Sequence, residues 1–114
     1  MLQEGGIRIS EKISAEDIQT LARELQLIRN QIQTVSSQVS EYSITIEALS
    51  TQDPNRPVFR SLGNLLLEVG DRETLQSEIS EAKEALDQHL MRLIEREENL
   101  RGQYETKASQ FERG

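Results

Sequence analysis

Cysteine and tryptophan are absent from this 114-residue sequence, proline occurs twice, and only 4% of the residues are aromatic. The lack of cysteine removes disulfide frameworks, thiolate metal sites and cysteine nucleophiles together. With 35% apolar residues and so few aromatics, the chain has too little material to fill a conventional globular core of its length. Basic charge is short as well. Twenty acidic against 13 basic residues give a formal net charge of -7, which repels a phosphate backbone, so no nucleic-acid partner is expected. The longest apolar run is Leu65-Leu66-Leu67, against the roughly 20 residues a membrane span needs. The start MLQEGGIRIS lacks the basic region and apolar stretch of a signal peptide. The expectation is one soluble, cytoplasmic domain over residues 1–114, with no membrane partner.

What is present is periodicity. From Ile18, apolar residues recur at Leu21, Leu25, Ile28, Ile32, Val35, Val39, Tyr42, Ile46 and Leu49, in alternating steps of three and four. This is a coiled-coil seam. Ser14-Ala15-Glu16-Asp17 has the form of a capping box, with Ile13 and Ile18 at the positions of a hydrophobic staple. Helix one is therefore expected over residues 15–52, preceded by a flexible segment, residues 1–13. The prolines of Asp53-Pro54-Asn55-Arg56-Pro57 end it.

Residues 58–69 read as a β-hairpin: Val58 to Leu62, a Gly63-Asn64 pair suited to a type II′ or I′ turn, then Leu65 to Val69. A two-residue loop pairs Leu62 with Leu65, Arg60 with Leu67 and Val58 with Val69 on one face. Phe59 then stands opposite Glu68, and Ser61 opposite Leu66, on the other. Asp71 is a good N-cap for a second helix over residues 71–112. Its seam begins Leu75, Ile79, Ala82 and Leu86, where strict heptads would next require His89, Arg96 and Gln103. A four-residue stutter restores Leu90, Leu93, Leu100, Tyr104, Ala108 and Phe111.

Antiparallel partners across a fold-back must have residue numbers with a nearly constant sum. Leu49 with Leu75, Ile46 with Ile79, Tyr42 with Ala82, Val39 with Leu86, Val35 with Leu90, Ile32 with Leu93, Leu25 with Leu100 and Leu21 with Tyr104 satisfy this condition; Ile28 opposite Glu97 is the exception. The fold expected is mainly α: an intramolecular antiparallel coiled coil about 55 to 60 Å long, with one β-hairpin at the connecting end. An isolated two-stranded hairpin is marginal in water, and this one has two unpaired edges and apolar groups on both faces. Its natural resolution is to pair with other hairpins in an oligomeric β-barrel.

Catalysis finds little support. His89, the sole histidine, has Ala85, Leu86, Arg92 and Leu93 as its helical neighbours and no second metal ligand at helical spacing. Carboxylate pairs such as Glu97-Glu98 or Glu81-Glu84 would need a desolvating pocket to act as acid and base. Gly5-Gly6 is not followed by the Lys-Ser/Thr of a phosphate-binding loop. Neither an enzymatic activity nor a cofactor or metal is expected. The fold-back gathers Ile7, Ile9, Ile13, Tyr104 and Phe111 at one end, where they either form a binding surface or seal the coil.

Two long helical patterns around VFRSLGNLLLEV resemble the prefoldin family, specifically its β-type subunit with a single hairpin. The resemblance spans roughly residues 14–112. Val58-Phe59-Arg60, Leu62-Gly63-Asn64 and Leu65, Leu66, Leu67 through Val69 carry it most specifically. It implies a hexamer of α-type and further β-type subunits joined through hairpin β-barrels. It also implies an ATP-independent holdase whose arm tips, here Ile7, Ile9, Ile13, Tyr104 and Phe111, hold unfolded client proteins for a group II chaperonin. The other class of function open to such a chain is a structural or adaptor coiled coil that oligomerises through its hairpin and recruits one folded partner.

Overall fold

The structure, a computed structural model, describes residues 9–113, with side chains from residue 15 onward. Two helices flank a hairpin in the order α1 (Ile9–Thr51), β1 (Phe59–Leu62), β2 (Leu65–Glu68) and α2 (Arg72–Arg113). The chain divides into two compact units. One is formed by Met1–Gln33 with Met91–Gly114, the other by Thr34–Leu90. Among the described residues, no helix is long and apolar enough to cross a membrane.

In the first unit the expected seam is buried. Leu21, Leu25 and Ile28 of α1 and Leu93 and Leu100 of α2 form its core, while Ile18, Ile32, Tyr104 and Ala108 are half-buried. Burial of each such aliphatic side chain contributes about 1.5 to 3 kcal/mol, and this stripe holds the helices together. Asp17 pairs with Lys107 at 3.3 Å and Arg29 with Glu97 at 3.1 Å, so ascending numbers on α1 meet descending numbers on α2. The helices are antiparallel. Glu97, the exception to the apolar pairing, keeps its place in the seam with its side chain only 14% exposed, because Arg29 Nε and Nη2 both reach its Oε2.

The second unit continues the pattern with smaller side chains. Val35 is buried, and Val39, Tyr42, Ile46, Leu49, Leu75, Ile79, Ala82, Leu86 and Leu90 are half-buried. Three hydroxyl side chains of α1 bond back to the preceding turn here, within a helix that the seam holds. Thr45 donates to the Glu41 carbonyl, Ser50 to that of Ile46 and Thr51 to that of Glu47. His89, Arg96 and Gln103, which unbroken heptads would have placed in the seam, are exposed, as the stutter requires.

One boundary differs. The capping box and staple around Ser14 place the start of helix one at residue 15, yet α1 already includes Ile9–Ser14. The supposed flexible segment 1–13 is thus helical from residue 9, and residues 1–8 lie outside the described residues. Residues 9–14 contain neither glycine nor proline, and continuing a helix through ordinary residues costs only a few tenths of a kcal/mol each. A capping sequence permits a start; it does not force one.

Candidate assembly and binding surfaces

The connector is built around Asp53. Its carboxylate accepts the Asn55 N–H at 2.9 Å and its carbonyl accepts the Arg56 N–H at 3.0 Å, forming the tight turn that its Asp-Pro-Asn sequence favours. Arg72, in the first turn of α2, reaches across to donate to the Asp53 carbonyl at 3.2 Å and to the Arg56 carbonyl. This guanidinium ties both ends of the hairpin to one place. At the other side of the junction Asp71 caps α2, its carboxylate accepting the Thr74 N–H at 3.1 Å and the Thr74 hydroxyl at 2.7 Å. These bonds, the hydroxyl's first, hold the Asp71 carboxyl below the usual aspartate value.

The hairpin has the expected register. Leu62 pairs with Leu65, Ser61 with Leu66, Arg60 with Leu67 and Phe59 with Glu68, and the Val69 N–H donates to the Val58 carbonyl at 2.8 Å. Gly63 adopts φ +60° whereas Asn64 does not have a positive φ, which selects the type II′ turn from the two open to the sequence. All eight strand residues are exposed, with Leu66 at 71% and Phe59 at 54%. Side chains alternate across the strands. Val58, Arg60, Leu62, Leu65, Leu67 and Val69 therefore share one face, and Phe59, Ser61, Leu66 and Glu68 the other. Both outer edges are without a strand partner among the described residues. Five large apolar side chains stand exposed beside these edges, where a further strand could add and cover them.

At the far end of α2, Tyr104 and Ala108 are half-buried and Phe111 is 44% exposed. Ile7 lies outside the described residues, and so do the side chains of Ile9 and Ile13, although their backbone belongs to α1. The gathering of these three with Tyr104 and Phe111 thus stands as the expectation from sequence. Sequence reasoning also passed over exposed apolar residues on the helix backs, Leu27, Ile44, Met91 and Ile94. They fall outside the seam periodicity, and single exposed apolar residues carry no pattern to find.

No group of metal-ligating side chains occurs among the described residues. An open groove of about 710 Å³ in the second unit is lined by Tyr42, Ala82, Ala85, Leu86 and His89 among others. The two alanines are what leave the space.

A family profile described as "Prefoldin subunit" matches residues 13–111. No curated protein sequence matches the chain. Among solved structures it is similar to the prefoldin beta subunit from Thermococcus strain KS-1, with a TM-score of 0.81 and 19% identity over 93% of this chain and 92% of that one. It is also similar to the prefoldin beta2 subunit of the same organism, with a TM-score of 0.70 and 20% identity over 81% of this chain and 97% of that one. At such identities the likeness is one of fold.

Proposed function

Given that this chain belongs to the prefoldin family, whose role is that of a chaperone and whose subunits form hetero-oligomers with one another, we propose that it is a β-type holdase subunit working without ATP. The observation that carries this reading is the hairpin: a sheet of two strands with all eight residues exposed, on helices already paired with each other. Such a hairpin is incomplete alone and complete in a barrel with α-type and further β-type subunits, and the resemblance gives the hexamer as its assembly. Non-native clients would be held at the ends of the helical pairs, by Ile7, Ile9, Ile13, Tyr104 and Phe111, and passed to a group II chaperonin in the cytoplasm. Exposure of Phe111 beside half-buried Tyr104 supports that placement. Each contact would be weak, and several arms on one client would multiply them. The family is not one of enzymes, and the reading asks for no cofactor.

The test is suppression of aggregation. Several unrelated proteins diluted from denaturant should stay soluble in the presence of the assembled complex without nucleotide. Deleting residues 1–9 and changing Phe111→Ser should lower that activity while the assembly keeps its mass. Selective binding of one folded protein, with no protection of unfolded ones, would replace the holdase by an adaptor. Full protection by the truncated variant would move client capture away from the helix ends.

A further inference from the structure

The register of the hairpin sorts its charges as well as its apolar groups. Arg60 lies on the face with Val58, Leu62, Leu65, Leu67 and Val69, and no carboxylate shares that face. Glu68, the hairpin's one acid, pairs across to Phe59 and lies on the opposite face with Ser61 and Leu66, where there is no base. A closed sheet turns one face inward. If it were built of copies of this chain alone, it would enclose one arginine per hairpin and no acid with the first face inward. With the second face inward it would enclose one glutamate per hairpin and no base. This holds for any strand order or register between copies, because it depends only on which residues share a face.

Charges of one sign gathered in an interior are costly unless paired. The first face, apolar at five of six positions, is the one that gains by facing in. We propose that Arg60 is a partner-selecting residue: it disfavours closure with copies of this chain and favours a second hairpin-bearing chain with an aspartate or glutamate on its own inward face. This inference rests on the assembly reading above and goes beyond it, because it names the chemistry the partner must bring. Arg60 is exposed in this chain, so its side chain is accessible to a partner's acid.

This chain alone suffices for the experiment. Native mass spectra and sedimentation across a dilution series compare the wild type, Arg60→Leu, Arg60→Glu, and an equimolar mixture of wild type with Arg60→Glu. Arg60→Leu should self-assemble at a concentration about tenfold or more below that of the wild type. Arg60→Glu alone should assemble no better than the wild type. The mixture should form mixed oligomers that high salt weakens. Arg60→Gln, neutral and polar, repeats the first comparison should the leucine variant precipitate. Wild type assembling as strongly as both neutral variants, or a mixture no stronger than its components, overturns the pairing and leaves hairpin assembly standing. Neutral variants that remain monomeric at every concentration with full helicity overturn hairpin assembly itself, and this inference with it.

Discussion

Leu100 and Leu66 are the same side chain in opposite conditions: the first is 5% exposed in the helical seam, the second 71% exposed on the hairpin. The seam is closed within one chain, since the apolar positions of α1, Ile28 opposite Glu97 excepted, have apolar counterparts on α2. Among the described residues the hairpin has no such counterpart, and in the assembly proposed above its groups serve other chains. Stability and association are thus written in different stretches, and a substitution can disturb one without the other.

The sharpest way to separate them is to replace Leu65 and Leu67 together by Asp. Oligomers should be lost by native mass measurement while the far-ultraviolet circular dichroism of the helices persists, since two carboxylates on the face proposed to turn inward are costly to bury. Collapse of helicity would show that the hairpin supports the helices. Next in size is Leu100→Ala. It should lower the unfolding free energy by about 2 to 5 kcal/mol, read from denaturant titration, with the hairpin register unchanged. A smaller effect of opposite sign is expected from Gly102→Ala. A Cβ at Gly102 meets nothing within 4 Å, so the change should stabilise α2 by up to about 1 kcal/mol and raise the melting temperature without altering assembly.

The smallest effect belongs to Asp71. Its carboxyl is held below the usual 3.8 by the Thr74 hydroxyl and backbone N–H. The folded state therefore favours the ionised form, and the stability this adds is present above the ordinary value and lost as the pH falls below it. Asp71→Asn, which caps almost equally well, should leave neutral-pH melting unchanged and flatten its decline below about pH 4. A decline identical to that of the wild type would assign acid sensitivity to other carboxylates.

The parts of this molecule that repeat were the parts that could be read from sequence. Steps of three and four residues located the seam and its stutter, and the alternation around Gly63-Asn64 located the hairpin and its register. Single events were not readable. The bonds from Arg72 to the Asp53 and Arg56 carbonyls link a side chain to backbone groups 19 and 16 residues away and follow no period. The start of α1 at Ile9 was hidden behind a plausible cap at Ser14. The constant-sum rule did isolate Glu97 as an irregularity, but apolar matching could not name Arg29 as its partner. The gathering of Ile7, Ile9 and Ile13 with Tyr104 and Phe111 at one end is an expectation that rests on the fold-back alone.

Glu97 also bears on how the helices find each other. If α1 slides by one heptad along α2, Ala22 or Ser36 comes to the place of Arg29, and Glu97 keeps only the longer 3.9 Å contact with Arg101 of its own helix. The apolar steps of α1 repeat every seven residues, so a slip is resisted only by the stutter after Leu86 on α2 and by the loss of the Arg29 partner at Glu97. A misaligned pair thus retains a fault in its interior that lets it come apart and search again. The correct alignment closes around an ion pair. One glutamate in an otherwise oily stripe acts as an index mark that favours one closure of the zipper.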